Sequence, residues 1–309
     1  MKIIYFKLVL VGFILMASLF IKELSPISFQ SQLLFLVAAL ILTGIPHGAI
    51  DHLVEEKNAT YLKKDFNLIQ FIVRYILTIL IYALCWFVQP EISLTIFLAI
   101  SAWHFGETDI PVFNKNYLFT NLMRFIWGNL VLAFLLLNNM SEVKTVLLKI
   151  IPMHSQLLKT FLLLEDYKFI IMGILFLSFL VLFLINQKPK LTYSLYHILL
   201  PLVVLITVSQ LPILLGFTLY FAFWHSIIAF KTISKYILPN LNFKTAFLNT
   251  WIKALPFTTL AFIFLILGYW VWFKIFSETE PTMLIFIFIS TITLPHLVVM
   301  HGMYAEKKP

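Results

Sequence analysis

Apolar runs of about twenty residues recur along nearly the whole chain, and they restrict its folding more than any other feature. A helix needs about 20 residues to cross about 30 Å of hydrocarbon, and within lipid each backbone polar group must be satisfied internally. Ten such runs are present, at about 4–22, 31–52, 68–88, 92–108, 118–138, 168–185, 192–209, 211–231, 255–275 and 282–303. They predict an all-α, polytopic transmembrane helix bundle, with 1–309 as a single integral membrane domain and no soluble domain. The seventh and eighth runs are parted only by the Gln210–Pro212 region; read as one broken element they make nine spans. The first run follows Lys2 as a signal peptide would. No small-x-small cleavage pattern succeeds it, so it is read as a span.

Composition agrees. Soluble domains are about 45–50% apolar and about 25% charged, whereas this chain is 61% hydrophobic and 12% charged. The lone Cys85 excludes an internal disulfide and any site built on several thiolates, so a bound metal needs nitrogen or oxygen donors. The net charge of +8 is spread over loops rather than gathered in a block, which argues against nucleic acid as a partner. Aromatics reach 17%, with 32 Phe, which suits either a wide apolar cavity or rings facing lipid.

With ten spans and both termini inside, 16 of the 22 basic residues fall at the inner side. The positive-inside rule therefore favours ten over nine, and a multi-pass location in the cell's inner membrane with N- and C-termini cytoplasmic. The one long connection, 139–167, mixes Lys144, Lys149 and Lys159 with leucines. It predicts an amphipathic helix over Val143–Leu164 on the outer surface.

Six of the eight histidines lie in four short motifs: Pro46-His47-Gly48-Ala49-Ile50-Asp51-His52, Trp103-His104-Phe105-Gly106-Glu107, Trp224-His225-Ser226, and Pro295-His296 with His301. They fall in spans two, four, eight and ten. These run in the same direction, and at 1.5 Å per residue His47, His104, His225 and His296 lie roughly 6–11 Å from the inner ends. Ionisable groups in a membrane are costly and mark function, and neutral imidazole suits iron, zinc or copper. Proline before His47 and His296 removes a backbone donor and can bend each helix towards a shared centre. His47 and Asp51, four apart, share a helical face, which makes Asp51 the acceptor for the second nitrogen of His47. His52 lies about 140° round the helix from His47, and His301 likewise from His296. His47 and His296 are therefore the expected ligands, with His52 and His301 as support. Glu107 either orients a ligand or ends its helix at water, and Tyr220 and Trp224 either line a pocket beside His225 or pack. His197 lacks a motif, and His154 reads as a solvated loop residue.

Together the motifs Gly44-Ile45-Pro46-His47-Gly48-Ala49-Ile50-Asp51-His52, Trp103-His104-Phe105-Gly106-Glu107, Tyr220-Phe221-x-x-Trp224-His225-Ser226 and Pro295-His296 resemble the Brp/Blh family, membrane β-carotene 15,15′-dioxygenases that supply retinal to microbial rhodopsins. The resemblance implies an Fe(2+) cofactor, O2 and β-carotene as substrates, and cleavage of the central double bond into two retinals. It carries ligand roles to His47, His104 and His225. One version of the pattern has a second histidine four residues after the third ligand. Ala229 stands there in this chain, and His296 is the candidate for the fourth place. A three-histidine site or a related carotenoid are the alternatives within this reading. Outside it stand a bis-histidine haem electron carrier and a His-dependent transporter. Intramembrane zinc proteases and di-iron desaturases are disfavoured, because neither His-Glu-x-x-His nor His-x-x-His-His occurs.

Overall fold

A computed structural model describes residues 2–111, 117–151, 153–186, 191–276 and 282–306, and every regular element among them is helical. In chain order they are α1 (Lys2–Glu23), α2 (Phe29–Ala39), a π-helical turn (Leu40–Gly44), α3 (Ile45–Gly48), α4 (Asp51–Tyr61), α5 (Leu68–Val88), α6 (Pro90–Asp109), α7 (Tyr117–Leu137), α8 (Met140–Ile150), α9 (Gln156–Asp166), α10 (Lys168–Asn186), α11 (Leu191–Val208), α12 (Ile213–Thr218), a second π-helical segment (Leu219–His225), α13 (Ser226–Ile237), α14 (Phe243–Phe276) and α15 (Thr282–Glu306).

Each of the ten apolar runs becomes helix. Eight helical segments among the described residues are long and apolar enough to cross a membrane. The two that fall short are α6, whose sequence holds Glu91, Glu107 and Asp109, and α11, whose apolar stretch is the shorter Leu195–Val208. A turn at Ser209–Leu211 separates α11 from α12, so the seventh and eighth runs are distinct elements. The amphipathic helix expected over Val143–Leu164 is two helices. Ser155 caps the second by accepting from the amide of Leu158 at 3.3 Å, which starts a new helix where one continuous helix was expected. On α8, Met140, Val143, Leu147 and Ile150 form one buried stripe at helical spacing.

The chain groups into two compact units, Met1–Ala39 with Ser101–His225, and Leu40–Ile100 with Ser226–Pro309. In the first, α7 packs on α6 and α10. Lipid offers no hydrophobic incentive for helices to associate, so close backbone approach through small residues matters more. A Cβ on Gly106 would strike the backbone carbonyl of Arg124, and one on Gly128 would strike that of Ala102. The pairs Ala102/Gly106 and Arg124/Gly128, each four apart, thus let α6 and α7 touch along their backbones. Trp127 packs on Phe179 of α10 at a ring distance of 5.0 Å, and Glu142 accepts from the amide of Ile213, tying α8 to the start of α12 at 2.9 Å.

In the second unit α15 lies against α4 and α5, and α14 against α13 and α3. The core there includes Ile50, Val54, Phe71, Phe230, Ile233, Met300 and Met303. Gly302 sits against Asn58, whose side chain accepts from Tyr236 at 2.6 Å. On α5, Leu80, Ile81, Leu84 and Phe87 are exposed, a face suited to acyl chains.

Candidate metal centre

Two π-helical segments, a rare geometry often found at functional sites, each run up to a histidine. The first spans Leu40–Gly44 and opens directly onto Ile45-Pro46-His47; the second ends on Trp224-His225. The cause at the first is legible. Pro46 lacks an amide hydrogen, so the helix cannot close its usual bond to the carbonyl of Leu42 four residues back. That carbonyl instead accepts from the indole Nε1 of Trp251 on α14 at 3.3 Å. Neighbouring side chains commonly satisfy carbonyls freed by proline inside membranes.

The helix breaks again after Gly48, since Ala49 and Ile50 form a turn before α4 begins at Asp51. His47 and Asp51 therefore do not share one continuous helix, and the expected partnership between them changes. Asp51, 2% exposed, is bonded to His296, with Nδ1 at 2.8 Å from Oδ1 and 3.0 Å from Oδ2. The Tyr75 hydroxyl donates to Oδ2 at 2.9 Å. The rings of His47 and His296 meet edge to face at 4.8 Å. Gly48 lies against His296, where a Cβ would stand 3.6 Å from Nδ1, an ordinary contact. This half of the constellation is thus a buried His47/His296 pair with a carboxylate and a phenol behind it.

The other half lies in the first unit. His104 on α6 and His225 at the end of the second π-helical segment face each other, Nε2 to Nε2, at 3.0 Å. Their rings are 4.7 Å apart and tilted by 70°. Phe221 stacks on His225 at 5.7 Å and Phe105 meets it edge-on at 5.0 Å. A hydrogen shared between two imidazole nitrogens occupies the place a metal takes when it accepts both lone pairs. Two nitrogens that each bound one ion at about 2.1 Å would stand no more than about 4 Å apart. The observed spacing fits neighbouring ligands of one ion.

His47, His104, His225 and His296 are all buried, with His225 fully so. Glu107 is buried as well and does not end its helix at water. Tyr220 and Trp224 are fully buried and bind Asp109 rather than line an open pocket. His52 is half-buried against Phe257, with rings 4.6 Å apart. His301 is exposed and does not join His296, because an unbroken α15 carries it to another face. His154 is exposed, and His197 is buried with Nδ1 3.5 Å from Nζ of Lys7.

Sequence reasoning missed Tyr75, Lys7, Trp127 and Asp109. Two of them leave a trace in the sequence: Lys7 as a lone charge inside the first apolar run, and Asp109 as the second acid of Glu107-x-Asp109 ahead of Pro111. Acids at a span's end ordinarily meet water, and its burial is decided by partners from distant helices.

A family model described as beta-carotene 15,15′-dioxygenase matches residues 38–304. A curated protein named beta-carotene 15,15′-dioxygenase, from uncultured marine bacterium 66A03, is 34% identical over 73 residues, 24% of this chain and 26% of that protein. The aligned stretch thus spans about a quarter of that relative's length. No solved structure matches. The family match takes in all four histidine motifs and most of the chain, which therefore belongs to the beta-carotene 15,15′-dioxygenase family.

Proposed function

We propose that this protein is an iron-dependent membrane dioxygenase that cleaves the central double bond of β-carotene with O2 to give two retinal molecules. The observation that carries this reading is the family match across 38–304. The proposed ligands are His47, His104, His225 and His296. Iron(II) suits them because all are neutral nitrogen donors in a buried setting and no thiolate competes. The ion supplies the activation of O2 that organic side chains cannot perform.

This chain's own residues do the rest. Asp51 accepts the Nδ1 proton of His296, which leaves the Nε2 lone pair for a metal and fixes the ring's direction. Tyr75 keeps the carboxylate in place from its other side. Phe105 and Phe221 cover the ring of His225 and keep water from it. A rigid apolar polyene dissolves in the bilayer, so entry from lipid suits a protein whose spans expose apolar faces. The two aldehyde products are likewise lipid-soluble, which fits delivery to a microbial rhodopsin in the same inner membrane.

Expression in carotene-accumulating bacteria tests the reading. The expected result is bleaching of the cells with retinal in the extract, lost in the His104→Ala variant. Unbleached cells with the protein present in the membrane overturn it.

A further inference from the structure

A dense polar cluster among the described residues of the first unit adjoins the histidine pair through α6 and the second π-helical segment. Asp109, the last residue of α6, is fully buried. Its Oδ2 accepts from the Tyr220 hydroxyl at 2.6 Å and from the Trp127 indole at 3.1 Å, and its Oδ1 from the Trp224 indole at 3.2 Å. Lys7 of α1, also buried, places its ammonium 5.5 Å from the Trp224 ring and interacts electrostatically with Asp109. A carboxyl group taken out of water needs donors to offset its desolvation, and three side chains from two other helical segments supply them here.

Its position suggests a purpose. Tyr220 and Trp224 both belong to the π-helical segment that ends at His225, and Asp109 follows His104 on the same helix by five residues. One carboxylate thus ties the helix bearing His104 to the turn bearing His225. A π-helical turn holds one residue more than an α-turn. If Leu219–His225 relaxed to α-helix, His225 would swing by about 100° relative to the residues before it. The 3.0 Å approach of the two Nε2 atoms depends on that turn keeping its form.

We propose that Asp109 is a positioning residue for His225: it holds the π-helical segment through Tyr220 and Trp224, with the Trp127 indole fixing the carboxylate and Lys7 adding a nearby positive charge. Side chains that orient ligands from behind typically change metal affinity or activity by about 10–100-fold when removed, and that is the effect expected here. The inference extends the proposed metal site, but the geometry of the histidine pair itself is measurable without metal or carotenoid.

The test is the double variant Lys7→Met with Asp109→Asn in the full-length protein in detergent. Losing both charges together avoids leaving one buried and unpaired. Three quantities are compared with the parent: the thermal midpoint, Co(II) affinity by titration, and the side-chain NMR signals of isotope-labelled His104 and His225 in metal-free protein. The expected result is a midpoint near the parent's, loss of the paired-imidazole signals, and Co(II) binding weaker by about 10–100-fold. A stable double variant with parental histidine signals overturns the proposal and reduces Asp109 to charge balance. Should the double variant not fold, Tyr220→Phe removes a single hydroxyl and is read in the same way. It is expected to shift the His225 signal, and a parental spectrum overturns the proposal. A parent with the paired signals but no Co(II) binding defeats the metal-site reading while leaving the positioning role to be judged on the spectra.

Discussion

Replacing Asp51 by Asn keeps the shape of the side chain and removes one acceptor. The consequence follows from the three short distances around the carboxylate: 2.8 and 3.0 Å to Nδ1 of His296 and 2.9 Å to the Tyr75 hydroxyl. Suppose the amide oxygen takes the place of Oδ2 and keeps Tyr75. The amide nitrogen then stands where Oδ1 was, donor against donor at His296. The imidazole escapes by moving its proton to Nε2, so that Nδ1 accepts from the amide. That tautomer has no lone pair at Nε2 for a metal. In the opposite orientation His296 keeps its acceptor and the hydroxyl of the half-buried Tyr75 loses one. An orphaned buried donor costs about 1–3 kcal/mol, and each 1.36 kcal/mol is about tenfold. Metal affinity should therefore fall by about 10–100-fold, with retinal formation falling alongside. Iron titration of detergent-purified protein measures the first and extraction of retinal the second. Adding Tyr75→Phe should recover part of the loss, because the amide is then free to turn its oxygen to His296. Parental iron affinity in Asp51→Asn, or a double variant no better than the single, would refute the reasoning.

Changing His47, His104 or His225 to Ala should each abolish iron retention and activity, and His296→Ala should match them, while His154→Ala, on an exposed loop position, alters neither; full iron content in His47→Ala would remove that residue from the ligand set. Glycines should respond in opposite ways. Gly48→Ala meets only an ordinary contact at 3.6 Å and should keep iron and activity, whereas Gly128→Ala drives a Cβ into the Ala102 carbonyl and should cost about 1–3 kcal/mol and displace α6; a parental thermal midpoint for Gly128→Ala would contradict the backbone contact. For topology, single cysteines at the exposed positions of Lys149 and Lys244 in a Cys85→Ser background, labelled from outside intact cells, should react at 149 and not at 244; labelling at 244 would reverse the orientation of that loop.

The helices and the burial of the central histidines were legible in the sequence because both follow from local pattern. An apolar run of about twenty residues has few alternatives to helix in lipid, and an imidazole placed well inside such a run has little access to water. The distortion at His47 was also legible, since Pro46 removes a backbone donor wherever the helix goes. The long outer connection was half legible: its apolar periodicity was visible, but the break into α8 and α9 depends on the Ser155 cap. Partner choice was not available from spacing. Asp51 is four residues from His47 in sequence, yet the turn at Ala49–Ile50 takes it off that helical face, and it meets His296, 245 residues away. Asp109 looks like the polar end of a span and is buried because Tyr220, Trp224 and Trp127 bring donors to it from two other helical segments, with Lys7 of α1 adding its charge. Periodicity fixes which side of a helix is apolar. Which donors surround a buried carboxylate is decided by how helices far apart in sequence pack, and only the tertiary structure carries that.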